Sequence, residues 1–240
     1  MNTYNKLQKK FLIWILIEVV ITFALLVFLL FLPIEFNVLM PILFVVLLIG
    51  LILSLVLKSK FDYYNFLYRH SALFENLAPA VETNQIILSQ AWFEMLKKEK
   101  YQLYKSYGGY SIYYKIDNGP NNKRAFKTLY IVVAIADNSL SFENEIIEKS
   151  INKLEMHLYK NAKYSQRIIY QFKSDKKFTQ ELAKSTNMVL FARNHKQNIV
   201  LINVYHFLDD HVAYFVHSTT NPPTPYYDFA SKHLIDLLHK

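Results

Sequence analysis

Two long apolar runs stand out near the start of the chain. Residues 11–32 and 38–57 contain 22 and 20 positions, and Glu18 is the only charged residue in either run. A helix rises about 1.5 Å per residue and the bilayer hydrocarbon is about 30 Å thick, so each run is long enough to span it. The five residues between them allow only a tight reversal. The pattern therefore predicts a transmembrane hairpin over residues 1–57, with spans at 11–32 and 38–57.

The first run does not have the features of a cleaved signal peptide. It exceeds the usual apolar length, no small-residue cleavage site follows it, and a second span comes at once. Cations flank the outer ends of the hairpin, whereas the reversal carries only Glu35. They are Lys6, Lys9 and Lys10 on one side and Lys58, Lys60 and Arg69 on the other. The positive-inside rule predicts a two-pass protein of the cell membrane with both termini in the cytosol.

Glu18 is the one charged residue expected within the bilayer. It lies seven residues into the first span, and the antiparallel second span brings Gly50 to the same depth. Gly50 and Ser54 form a small-x-x-x-small pair that allows close helix approach. We expect Glu18 to pack over Gly50 with its carboxyl group near Ser54. The alternatives for Glu18 are an ion or proton site, a polar clasp between protomers, or a carboxyl group that is protonated or reaches toward the headgroups.

Beyond the hairpin, helical and alternating apolar patterns follow one another. Residues 58–80 read as a juxtamembrane connector that continues the second helix and breaks near Pro79. Apolar spacing predicts helices over 81–107, 141–159, 178–186 and 226–239. Alternating or β-branched runs predict strands over 110–116, 127–136, 167–172, 188–192, 198–206 and 211–217. We therefore expect residues 81–240 to form a cytosolic α+β domain around a mostly antiparallel sheet.

Composition removes several classes of chemistry. The chain has no cysteine, which excludes disulfides, thiolate nucleophiles, zinc-thiolate sites and iron–sulfur clusters. Its four glycines cannot build a known phosphate-binding glycine loop, and no nucleophile elbow or kinase signature is present. No cofactor is predicted, apart from a divalent metal at one candidate site.

That candidate metal site combines His206, Asp209, Asp210 and His211 at a predicted strand–turn–strand. Two imidazoles and two carboxylates at one end of a hairpin suit zinc or another divalent ion. However, paired aspartates are also ordinary turn residues, and the strand pleat can send the two histidines to opposite faces.

A second candidate, Gln171-Phe172-Lys173, ends a predicted strand. This Gln-x-Lys half-motif occurs in restriction-type nucleases, which also need an aspartate on a neighbouring strand, and Asp137 is the only candidate. A full predicted helix separates Asp137 from Gln171, which departs from the usual order. The departure argues against a resemblance.

The most suggestive surface is a basic, tyrosine-rich stretch between residues 97 and 127. It holds eight cations against two acidic residues, with tyrosines interleaved between them. The cations are Lys97, Lys98, Lys100, Lys105, Lys115, Lys123, Arg124 and Lys127. Such a set could contact anionic lipid, bind nucleic acid, or form only a solvated face. We expect anionic lipid ahead of nucleic acid because the domain is tethered beside a negatively charged leaflet.

The sequence favours a non-enzymatic accessory protein, in which the hairpin holds an interaction domain at the cytosolic face of the bilayer. Its expected partners are the bilayer, anionic headgroups or another membrane protein. Two alternatives from other classes remain open. One is a membrane-tethered metal-dependent hydrolase or nuclease that uses His206, Asp209, Asp210 and His211, and the other is a small transport subunit that uses Glu18.

Overall fold

The two apolar runs form helices α1 (Thr3–Leu30) and α2 (Phe36–Glu75). Both are apolar and long enough to cross a membrane, with mean hydropathies of 2.9 and 3.0. Pro33 follows α1 closely, as expected, since proline restricts the residue before it to non-helical conformations. The prediction of two long apolar helices is confirmed, and α2 continues without a break through residue 75.

The structure is a computed structural model that describes residues 3–119, 127–159, 164–194 and 197–240. It divides into two units, Met1–Ala72 and Leu73–Lys240. The described elements of the second unit are eight strands and four helices. In chain order they are β1 (Val81–Glu82), α3 (Gln90–Lys98), β2 (Gln102–Tyr107), β3 (Tyr110–Asn118), β4 (Lys127–Ile135), α4 (Glu145–Tyr159), β5 (Gln166–Asp175), α5 (Gln180–Ser185), β6 (Leu190–Asn194), β7 (Gln197–Phe207), β8 (Val212–Tyr214) and α6 (Pro225–Leu238).

The single helix predicted over 81–107 is wrong. Leu88 and Lys100 adopt positive φ angles of 69° and 67°, which end regular helix on either side of α3. Ser89 caps the start of α3 by accepting a hydrogen bond from the backbone N–H of Trp92. Gln102–Tyr107 pair with β3 as strand β2, and Val81–Glu82 pair with β8 as strand β1, so the apolar spacing over 81–107 reflects tertiary contacts rather than one helix.

The sheet is mixed, and the prediction of a mostly antiparallel sheet is wrong. Its order is β1-β8-β7-β5-β4-β3-β2, with β6 pairing β7 beside this path. The central strands β4, β5 and β7 run parallel, whereas the strands on both sides pair antiparallel. Parallel pairing requires each connection to return to the starting end of the sheet, and α4 does so between β4 and β5. The α+β class itself is confirmed.

Alternate residues of the central strands supply two apolar cores, one on each face of the sheet. Helices α3 and α6 pack on one face, where Trp92 and Phe172 meet edge to face with ring centroids 5.2 Å apart. On that face the His233 ring stacks on Tyr170, and the Tyr170 hydroxyl lies 3.0 Å from His233 Nδ1. Helix α4 covers the other face through an apolar stripe that runs from Ile147 to Leu158.

One ion pair joins α4 to the sheet. Arg167 on β5 donates to the Glu155 carboxylate, and both side chains are largely buried, at 19% and 14% exposure. A second pair on α4, Lys149–Glu145, is fully at the surface with 71% and 80% exposure. The two pairs therefore sit in very different dielectric surroundings, and only the first is expected to contribute much to stability.

Candidate functional site

The structure does not assemble the predicted metal ligands. His206 is fully buried on the α3/α6 face of the sheet, where its Nε2 lies 3.1 Å from the Thr83 hydroxyl. Burial lowers the pKa of His206 to about 4. Asp209 and Asp210 are exposed in the turn after β7, and His211 closes that turn with a φ of 52°. Across the described ranges, no group of three His, Cys, Asp or Glu residues could hold a metal ion.

The basic residues that the structure describes do not form one continuous surface. Lys97, Lys98 and Lys100 are exposed at the end of α3, and Lys127 is exposed at the start of β4. Lys105 donates to Ser150 on the α4 face, with Nζ and Oγ 3.4 Å apart. Lys115 lies over the rings of Tyr101 and Tyr130, at 4.6 and 5.1 Å, on the opposite face. Lys123 and Arg124 lie outside the described residues.

The polar residues of the apolar hairpin do meet. The Thr22 hydroxyl donates to Glu18 Oε1 over 3.0 Å, and the Ser54 hydroxyl donates to Glu18 Oε2. A Cβ atom at Gly50 would lie 2.7 Å from Thr22 Cγ2 and 3.4 Å from Glu18 Oε1. The structure thus brings Glu18, Gly50 and Ser54 together, and adds Thr22, which the sequence analysis did not single out. The functional role of this group remains a prediction.

A cleft of about 450 Å³ lies at the carboxyl ends of the three parallel strands. Its walls come from the loop after β4, the end of β5, the end of β7 and helix α5. Lys173 on β5 and Tyr205 on β7 are register partners and both line the cleft. The other lining residues are Asn138, Ser139, Leu140, Ser141, Phe142, Glu143, Leu182 and Ser185. Ligands of sheets with parallel strands bind at this edge, which makes the cleft the candidate functional site.

Lys173 is the chemical centre of the cleft. Its side chain is only 6% exposed, and Nζ donates to the carbonyl oxygens of Asn138 and Leu140 over 3.2 and 2.8 Å. The rings of Phe142 and Tyr205 lie near it, each with its centroid 5.6 Å from Nζ, and they meet each other edge to face. Burial lowers the pKa of Lys173, against the opposing charges of Asp137 and Asp175.

Two amides extend this polar region deeper into the sheet. Gln171 and Asn203 are register partners two residues before Lys173 and Tyr205, on the same face, with exposures of 5% and 0%. Asn203 Nδ2 donates to the Met188 carbonyl, but Gln171 Oε1 and Asn203 Oδ1 have no hydrogen-bond partner among the described residues. Strand alternation would normally place apolar side chains at these buried positions, as it does at Ile169.

In the sequence, Gln171 and Lys173 stand out only as a nuclease half-motif. In the structure Asp137 follows β4, the parallel neighbour of β5, and is exposed, with Oδ1 accepting from the Ser139 backbone N–H over 2.8 Å. Hydrogen bonds from the side chain and the backbone of Ser139 lower the Asp137 pKa. The signal that could have revealed the cleft was the alternation of two polar residues, Gln171 and Lys173, near the end of a buried strand, but it is informative only once the strands are known to be parallel.

Comparisons with protein-family models, with curated proteins and with solved structures find no match.

Proposed function

We propose that this chain is a two-pass membrane protein whose C-terminal α+β unit acts as a non-enzymatic accessory domain at the cytosolic surface. The observation that carries the proposal is the nature of the α1 and α2 surfaces. Their outward side chains are large, apolar and exposed, including Phe23 at 68%, Phe44 at 67% and Leu51 at 59%. In water such a surface would be strongly unfavourable, whereas hydrocarbon accommodates it without cost.

The polar groups of the hairpin support the same proposal. The Glu18 carboxyl oxygens accept from hydroxyls of both helices, so its polar atoms point into the hairpin rather than toward the surroundings. A polar group within a bilayer is favoured in this arrangement, since hydrocarbon offers it no partner. We therefore assign Glu18, Thr22 and Ser54 to a clasp that holds the two helices together within one chain.

The proposed orientation predicts which segments reach each side of the membrane. Because the natural chain has no cysteine, single cysteines can be introduced without background: Glu35→Cys in the reversal and Ser106→Cys on exposed β2. In intact cells a membrane-impermeant maleimide should label position 35 and leave position 106 unlabelled until the cells are opened. Release of the protein by alkaline carbonate, or labelling at 106 in intact cells, would refute the proposal.

We further propose that exposed cations at the end of α3 contact anionic headgroups. Lys97, Lys98 and Lys100 are exposed, and the strand that follows them, β2, presents Leu103 with an exposure of 51%. A cation near an anionic leaflet contributes about 1 kcal/mol, and exposed apolar side chains can enter the interface beside it. Another membrane protein with an acidic surface is the competing partner, and nucleic acid is not expected.

This contact can be measured in the full chain reconstituted in liposomes. An environment-sensitive fluorophore on Leu103→Cys should shift to shorter wavelength in anionic vesicles relative to neutral ones, and salt should weaken the shift. Lys97→Glu with Lys98→Glu should reduce it. The matched control is Lys176→Glu with Lys177→Glu, since both of these lysines are also exposed. Equal emission in both lipids, or equal effects of the two double variants, would contradict lipid contact.

The two alternatives from other classes gain no comparable support. A metal-dependent hydrolase or nuclease needs a ligand group that is not found within the described ranges. A transport role for Glu18 needs a carboxyl group open to a passing ion, whereas both of its oxygens accept hydrogen bonds within the hairpin.

A further inference from the structure

We propose that the cleft at the carboxyl ends of β4, β5 and β7 binds a small carboxylic acid, with Lys173 holding the carboxylate. This inference does not depend on the membrane proposal, because every residue that carries it belongs to the Leu73–Lys240 unit. The ligand class follows from the charge of Lys173, the hydroxyls around it, and the negative charge across the cleft.

The first observation is a buried cation without a carboxylate partner. Lys173 is more than nine-tenths buried, yet it takes part in none of the ion pairs found among the described residues. Asp137 and Asp175 influence it only from beyond ion-pair distance. A buried charge is costly unless it is paired, so the site lacks a negative charge that a ligand would supply.

The second observation concerns the donors of the ammonium group. Lysine carries three N–H donors, and the two carbonyl oxygens of Asn138 and Leu140 use two of them. These carbonyls fix the position of Nζ beside the rings of Phe142 and Tyr205. The third donor remains for an acceptor, and a side chain held in this way is already organised for binding.

The remaining lining chemistry selects the kind of anion. Ser139, Ser141 and Tyr205 line the cleft with hydroxyl-bearing side chains that can bond a carboxylate or a ligand hydroxyl, whereas the Ser185 hydroxyl already donates to the Leu182 carbonyl. Glu143 also lines the cleft and disfavours ligands with several negative charges, such as nucleotides. A single carboxylate whose other end carries a hydroxyl or ammonium group satisfies both requirements. The volume of about 450 Å³ lies within the range of small-molecule sites and leaves room for such a molecule with bound water.

The buried amides behind Lys173 give independent support. Apolar residues at the positions of Gln171 and Asn203 would satisfy the strand pattern and leave no unpaired oxygen. Instead, both carbonyl oxygens lack a partner among the described residues. Departures of this kind from the local rules are expected at functional sites, where stability is given up for chemistry. They occur here directly beneath the cleft.

The test follows the reactivity of Lys173 in the full chain in detergent. A lysine-specific acylating reagent is applied with increasing glycolate, acetate or inorganic phosphate, at ionic strength held constant with chloride, and peptide mass spectrometry reads each lysine. We expect glycolate or acetate to slow acylation at Lys173, by about tenfold at ten times the dissociation constant, and to leave exposed Lys176 and Lys177 unchanged.

Variants separate ligand binding from a purely structural role of the lysine. Thermal unfolding of the wild type should shift upward with glycolate or acetate relative to chloride. Lys173→Met should abolish that shift, whereas Lys176→Met should keep it. Glu143→Gln, which leaves the lysine in place, should permit stronger protection by phosphate. If Lys173→Met does not fold, the labelling of the wild type still decides. Unprotected Lys173, or equal shifts with chloride, would overturn the proposal.

Discussion

Replacing Gly109 by alanine should destabilise the C-terminal unit at the point where the β2–β3 turn meets the loop after β4. Gly109 has a φ of 98°, a conformation that residues with a side chain rarely adopt. Its carbonyl oxygen accepts from the backbone N–H groups of Ala136 and Asp137 over 2.8 and 3.0 Å. A Cβ atom at Gly109 would lie 2.7 Å from Asp137 Cβ and 3.2 Å from Leu140 Cδ1.

Both terms of the cost can be estimated. Holding a non-glycine residue at this φ costs about 1–3 kcal/mol. The contact with Asp137 Cβ adds roughly 1–3 kcal/mol, since that atom is fixed to the backbone and cannot rotate away. Allowing for partial relaxation, we expect a loss of about 2–4 kcal/mol in the free energy of unfolding. For a unit of this size that corresponds to a fall of roughly 4–16 °C in Tm.

The assay uses the neighbouring glycine as its control. A Cβ atom at Gly108 would meet nothing within 4 Å, so Gly108→Ala should leave stability unchanged or raise it by at most about 1 kcal/mol. The chain has two tryptophans, and a Trp14→Phe background leaves Trp92, which is 1% exposed, to report unfolding of the core. If the two alanine variants unfold at the same temperature, the turn geometry described here is wrong.

Three further predictions concern helix packing, a buried ion pair and pH. Gly50→Ala should weaken the α1–α2 pairing, measured as thermal stability in detergent, because the new Cβ would lie 2.7 Å from Thr22 Cγ2. Adding Thr22→Ser removes that Cγ2 atom and should restore the stability. A Gly50→Ala variant as stable as the wild type would be contrary evidence. Glu155→Gln should lower the free energy of unfolding in denaturant by about 1–3 kcal/mol, because the Arg167 guanidinium stays largely buried without its partner. Glu145→Gln at the exposed pair should lower it by less than about 0.5 kcal/mol. Equal losses in the two variants would count against this difference. Burial, with a smaller contribution from repulsion by nearby lysines, lowers the pKa of His233 from 6.5 to about 4. The unfolded chain therefore binds the proton more readily than the folded chain, and stability is lost as the pH falls from about 6.5 to 4. His233→Phe should flatten that part of the pH profile, and an unchanged slope would show that other groups cause it.

Features that depend on neighbours along the chain could be predicted from the sequence. The two apolar helices required only length and the near absence of charge, and both are confirmed. Strand β4 and helix α6 lie within a residue of their predicted bounds, because β-branched runs and helical apolar spacing are local signals. The same local reading failed over 81–107, where positive φ angles and pairing with β3 override the helical spacing.

Only the tertiary structure determined the direction of each strand, the face of the sheet that each side chain occupies, and the position of the cleft. A buried strand has the same apolar pattern whether its neighbour runs parallel or antiparallel, so the parallel centre was not predictable from the pattern. The β2–β3 pairing, with its register shift near Lys105, placed Lys105 and Lys115 on opposite faces although they are near in sequence. The sequence by itself determined which segments are apolar and which residues carry charge. Only the parallel register of β5 and β7 brought Lys173 beside Tyr205, since that contact joins residues far apart in the chain.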